Sequence, residues 1–242
     1  MHRTGQRART GIEQAAQGVS EVIAEVKPKL RGWFHAATTP LIIAAGTVLI
    51  TLSPTPMTRV GSSLYVASAL LLFGTSATYH RGTWSPKVWT ILNRLDHANI
   101  YIFIAGSYTP FAVTLLHGAS RWWMLGIVWT GAIVGVALQL LWPTAPRWLS
   151  APVYIALGWA AVFFIPSFLH GALALGVGIG VAIFVLIVVG GALYTMGGLV
   201  YGFKWPDPSP RVFGFHEVFH SFTVAAFVAQ YVGVSMATYA LR

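Results

Sequence analysis

Charged residues divide the chain into long apolar stretches. No Asp, Glu, Lys or Arg occurs over residues 32–58, 60–80, 97–120, 122–146, 148–203 or 218–241. These stretches measure 27, 21, 24, 25, 56 and 24 residues. A helix needs roughly 20 apolar residues to cross the hydrocarbon core of a bilayer. Five of the stretches therefore hold one span each, and the longest holds two. A turn-like cluster, Pro166, Ser167, His170 and Gly171, predicts where that longest stretch breaks. The pattern predicts an all-α integral membrane protein, with a seven-transmembrane-helix bundle over residues 32–242.

Residues 1–31 follow a different pattern. They have no apolar core segment of the kind a secretory signal carries. Ile12, Ala15, Val19, Val22 and Val26 recur at three- and four-residue steps, with Glu13, Glu21 and Glu25 off that stripe. This reads as a short amphipathic helix lying on the cytoplasmic surface and ended by Pro28, or equally as a partly ordered leader. The glycines of the sixth predicted span, Gly176 to Gly198, read as small residues that let helices approach closely.

Composition sharpens the class. Charged residues make up 9% of the chain and hydrophobic ones 56%, where a soluble domain carries about 25% charged residues. A disordered chain and an ordinary water-soluble domain are both excluded. Cysteine is absent, which removes disulfides, iron–sulfur clusters, thiolate zinc sites and cysteine nucleophiles. The net charge of +9 reads as contact with anionic lipids at the cytoplasmic face, and no nucleic-acid partner is expected. Positive charge favours the cytoplasmic side of a membrane. With the N-terminus cytoplasmic and the C-terminus outside, twelve of the 15 basic residues fall inside. Only Arg59, Arg121 and Arg242 fall outside. The expected location is the cell (plasma) membrane, as a multi-pass protein.

Few ionisable residues remain near the spans. His80 closes the second, Asp96 and His97 open the third, and His216 and His220 open the seventh. The topology, built from Lys and Arg alone, puts all of them on the cytoplasmic side. His216 and His220 are four residues apart, so their rings share one helix face. A third nitrogen from His80 would complete a trihistidine set of the kind that holds zinc with one open position. Asp96 could act there as a general base or orient a ligand, and Ser76, one turn before His80, could hydrogen-bond water or substrate. The same histidines could equally be wetted groups at the membrane interface. His97 lies about 100° around the helix from Asp96 and is expected to face elsewhere. Glu217 lies off the histidine face and reads as an Arg-paired or loop-facing group. His35, His117 and His170 have no partner pattern and read as interfacial, as do Tyr79, Tyr108 and most tryptophans. Arg94 is placed to pair with Asp96 or a lipid phosphate.

Several runs carry a family resemblance. They are Lys27-Pro-Lys-Leu-Arg-Gly-Trp-Phe-His35, Ser76-x-x-x-His80 and Arg94-Leu-Asp-His-Ala-Asn-Ile-Tyr-Ile. To these are added Ala105-Gly-Ser-Tyr-Thr-Pro110, Gly191-Ala-Leu-Tyr-Thr-x-Gly197 and Pro210-Arg-Val-Phe-Gly-Phe-His-Glu-Val-Phe-His220. Over residues 27–240 the chain resembles the bacterial hemolysin III branch of the progestin and adipoQ receptor superfamily. The resemblance implies a seven-helix bundle with a cytoplasmic N-terminus. It also implies a zinc site, or a site for another divalent metal, at His80, His216 and His220, with Asp96 and Ser76 beside it. His97 follows the bacterial pattern, which argues against a hormone-receptor role.

Three functions follow as expectations. The first is a metal-dependent hydrolase of a lipid amide or ester, resembling alkaline ceramidases, with a membrane lipid as substrate. The second is a non-enzymatic lipid-sensing or membrane-homeostasis protein whose metal is structural. The third, suggested by the family name, is a cytolysin with hemolytic activity, against which the permanently apolar spans argue. A retinal pump would need a lysine in its last span, and residues 218–241 contain none.

Overall fold

The computed structural model describes residues 28–142 and 147–242. In chain order these form α1 (Trp33–Leu52), α2 (Pro56–Arg81), α3 (Pro86–Leu115), α4 (Gly118–Leu141), α5 (Arg147–Gly158), a 3-10 segment (Ala160–Phe164), α6 (Ile165–Leu173), α7 (Val177–Phe203) and α8 (Phe215–Tyr239). Seven segments are long and apolar enough to cross a membrane; α5, the 3-10 segment and α6 together supply the fifth, Ala151–Leu173. The expected surface helix at residues 12–26 lies outside the described residues.

Hydrocarbon cannot hydrogen-bond a peptide group, so each span satisfies its backbone within itself. Hydroxyls in the spans follow the same logic by folding back onto their own helix. Thr38 donates to the Phe34 carbonyl at 2.7 Å, Thr47 to Ile43 at 2.8 Å and Thr109 to Ala105 at 2.8 Å. Large apolar side chains point outward, as at Leu41 (67% exposed), Ile133 (67%) and Phe163 (85%). Inside, Tyr65 stacks on Phe103 and Phe227, and Phe73 meets the same two rings in T-shaped contacts. Helix α3 is central and touches α2, α4, α5, α6 and α8. Small residues set the α7–α8 approach: a Cβ on Gly190 would lie 2.6 Å from the Gln230 amide.

Two boundaries differ from the sequence expectation. Helix α3 starts at Pro86, a favourable first helical position, so Lys87, Arg94 and Asp96 are helical. Asp96 therefore sits about 15 Å along the helix instead of opening it. The long stretch turns over Ala174, Leu175 and Gly176, where Gly176 has φ 108°. Pro166 instead starts α6 after a mid-span break. Tyr108, expected at the interface, reaches that break: its hydroxyl donates to the Gly158 carbonyl and accepts from the Ala161 N–H at 3.4 Å. It thus covers backbone groups that the change in helix type leaves open.

Alternation of the spans gathers Lys29, Arg31, Arg81, Lys87, Arg94, Lys204 and Arg211 toward one end of the bundle. The three bases at the other end have local work. Arg59 donates to the Ser53 carbonyl at 3.3 Å, Arg121 to Leu116 at 2.8 Å and Arg242 to Leu52 at 3.1 Å. Each cation thus meets carbonyls at the end of α1 or α3, where the helix dipole is negative.

At the basic end, the segment before α1 is tied to the α7–α8 loop. Lys29 and Leu30 donate their N–H groups to Arg211 and Val212 carbonyls at 3.1 and 3.2 Å. The Arg31 guanidinium pairs with Glu217, which is 0% exposed and also accepts from the Gly214 N–H at 2.8 Å. Gly32 then enters α1 at φ 79°, and a Cβ there would stand 2.7 Å from the His80 Cβ. A side chain at residue 32 would therefore push α1 off α2.

Two expectations follow. Single cysteines are clean probes because the chain has none: Pro208→Cys should react with an impermeant maleimide only after cells are opened, and His117→Cys should react in intact cells. The reverse pattern would invert the charge-based orientation. Arg31→Met should cost about 3 kcal/mol by stranding a buried carboxylate. Thermal unfolding in detergent should show Arg31→Met with Glu217→Gln losing less than Arg31→Met alone.

Candidate metal centre

Three helices bring four imidazoles to one depth. His80 comes from the last turn of α2, His216 and His220 from the first turns of α8, and His35 from the first turn of α1. The Nε2 atoms of His80 and His216 face each other at 3.2 Å. One ligand atom from each of His80, His216 and His220 lies within 4.8 Å of the others, and all three residues are buried. The His80 and His220 ring centres are 5.2 Å apart, and those of His216 and His220 4.5 Å.

The donor set fits a divalent metal. Tetrahedral zinc with its usual Zn–N distances separates ligand nitrogens by about 3.3 Å, close to the His80–His216 spacing of 3.2 Å. His220 Nδ1 is buried with no hydrogen-bond partner. Three clustered imidazoles are donors suited to zinc, and also to iron.

Asp96 places Oδ2 3.6 Å from His80 Nε2. Ser76, 1% exposed, lines the same cavity as Asp96. The structure thus brings Ser76, His80, Asp96, His216 and His220 together. His97 turns away, with Nδ1 2.8 Å from the Asn93 carbonyl and Nε2 3.1 Å from the Tyr201 hydroxyl. Glu217 is committed to Arg31. His117 and His170 are exposed at the far end of the bundle.

His35 departs from its sequence reading as an interfacial residue. It is 2% exposed and stacks face to face on His220, with ring centres 3.9 Å apart and planes 20° apart. It also makes a T-shaped contact with Phe73, with ring centres 4.7 Å apart. Its position in the Gly-Trp-Phe-His35 run gave no spacing relation to the other histidines. Only the folding of α1 against α2 and α8 creates the neighbourhood.

A cavity of about 350 Å³ opens from this centre into the bundle, within the range of small-molecule sites. His35, Ser76, Asp96, His216 and His220 line one part, and the rest is mainly apolar and aromatic, including Ile100, Phe103, Ile104 and Phe184. Its wall reaches Trp159, Val162 and Val188, which are exposed on the outer surface.

Seven apolar spans and a buried trihistidine cluster beside an apolar cavity define a multi-pass membrane protein with a candidate metal centre. The family model of haemolysin-III related proteins matches residues 23–231. The chain is 31% identical over 172 residues to "Hemolysin-3 homolog" of Bacillus subtilis (strain 168), covering 71% of this chain and 74% of that protein. It is 32% identical over 142 residues to "Hemolysin-3" of Bacillus cereus, covering 59% of this chain and 61% of that protein. The chain belongs to the haemolysin-III related family.

Purified protein dialysed against zinc is expected to retain one ion per chain by elemental analysis. His80→Ala, His216→Ala and His220→Ala should each lose most of it. His117→Ala, at the far end, should retain the wild-type amount; equal retention by all four variants would remove the metal centre.

Proposed function

We propose that the protein is a metal-dependent membrane hydrolase that cleaves the amide or ester bond of an acyl lipid. The observation that carries this reading is the junction of the trihistidine–Asp96 cluster with an apolar cavity. An acyl chain would lie among Ile100, Phe103, Ile104 and Phe184, with its carbonyl at the polar part of the cavity. His80, His216 and His220 would hold the metal. When bound, such a metal polarises a carbonyl and acidifies water.

The chain's own residues account for the proton transfers. Asp96 accepts the proton that water loses as its oxygen bonds to the carbonyl carbon. It then returns that proton to the amide nitrogen or ester oxygen as the carbonyl–heteroatom bond breaks. Ser76 lines the cavity beside Asp96 and can donate its hydroxyl to the substrate oxygen. The apolar wall excludes bulk water, which strengthens each of these contacts.

Asp96→Asn should lower hydrolysis of N-acyl or O-acyl lipids by at least about a hundredfold while zinc content stays at the wild-type level. His216→Ala should lose both zinc and turnover. If Asp96→Asn hydrolyses at the wild-type rate, the carboxylate has no part in the reaction. If zinc-loaded wild type cleaves none of a broad panel of lipid amides and esters, the metal is structural. The relatives' printed names support a second reading, lysis of red cells, and purified protein added to red cells tests it.

A further inference from the structure

Among the described residues, His35 is the ring at this centre for which neither metal holding nor proton transfer has a use. It is almost fully buried, yet neither Nδ1 nor Nε2 has a hydrogen-bond partner. Burying an imidazole with both nitrogens unsatisfied is costly. A leucine or phenylalanine would fill the same space without that cost.

His35 does not join the metal set. Its nitrogens fall outside the group of ligand atoms within 4.8 Å of one another formed by His80, His216 and His220. Its ring also lies nearly parallel to that of His220, at 20° and 3.9 Å. Imidazole lone pairs lie in the ring plane, so two parallel stacked rings direct theirs along parallel planes and do not converge on one ion. The stack does hold the His220 ring in place, but an apolar ring would do that equally well. The ring does line the cavity, together with Ser76 and Asp96.

We propose that His35 contacts the occupant of the cavity, hydrogen-bonding the polar group of an acyl amphiphile at the mouth of the apolar tunnel. The inference rests on reading the cavity as an acyl-lipid site. It adds a second anchor for the head of that lipid, on α1, to those that Ser76 and Asp96 contribute from α2 and α3. His35 thus selects for a chain that ends in an oxygen or nitrogen function over a plain hydrocarbon of the same length.

The test compares retention of labelled palmitate and labelled hexadecane by purified, zinc-loaded full-length protein. His35→Phe keeps the stack on His220 and removes both nitrogens, His35→Leu removes the ring, and His35→Gln returns a hydrogen-bonding group. Palmitate affinity should fall about tenfold in His35→Phe and His35→Leu and return to within about threefold of wild type in His35→Gln. Hexadecane retention and zinc content should stay unchanged in all three. The proposal is overturned if His35→Phe or His35→Leu holds palmitate as wild type does, or if both probes weaken together. It is also overturned if zinc is lost in step with palmitate, since His35 would then only pack the ligand ring, or if wild type does not hold palmitate at all. Wild type that discriminates the probes through His35 yet hydrolyses no lipid would end the hydrolase reading and leave this contact standing.

Discussion

Hydrocarbon offers no hydrogen bonds, and that constraint shapes the whole molecule. It makes every crossing segment a helix and turns the Thr hydroxyls back onto their own carbonyls. Where the fifth span departs from α-helix, Tyr108 must supply partners for Gly158 and Ala161. It also restricts where ionisable groups can stand. They are tolerated where they face one another inside the bundle, and that is where His35, His80, Asp96, His216 and His220 are found.

The tie at the end of the bundle decides how these groups meet. Glu217 is fully buried, and a buried carboxylate needs a cation and hydrogen-bond donors. Arg31 and the Gly214 N–H supply them. Because Arg31 immediately precedes the Gly32 turn into α1, the pairing sets where α1 starts against α8. One turn further on, His35 lands on His220. An ion pair outside the cluster thus positions a ring inside it.

Charge-free gaps were enough to count the spans, because charge placement answers to the bilayer. They were poor at locating helix ends, because a helix continues past the hydrocarbon edge. Asp96 looked like the opening of its helix, yet α3 begins at Pro86. Pro166 looked like a turn, yet proline suits a first helical turn, and Gly176 makes the reversal. The His216–His220 pair was legible because four-residue spacing is a local rule. Its union with His80 and Asp96 needed only the topology. His35 was not legible, since its relation to His220 spans 185 positions of sequence and depends on the Arg31–Glu217 tie.

The charge arrangement of the centre follows by elimination. Three acids lie among the described residues. Glu217 is neutralised by Arg31, and Asp207 accepts from the Phe215 N–H at 2.8 Å. Asp96 is left as the carboxylate facing the histidines, with Oδ2 3.6 Å from His80 Nε2. Neutral imidazoles would bring no counter-charge to a cation held by them, so in a low-dielectric bundle that charge would fall to Asp96. A carboxylate stabilised by a nearby cation, yet outside the trihistidine ligand set, keeps an oxygen available to accept a proton. In the proposed metal site a fourth ligand carboxylate would close the open position, whereas Asp96 stands 3.6 Å from His80 Nε2 and outside the clustered histidine nitrogens.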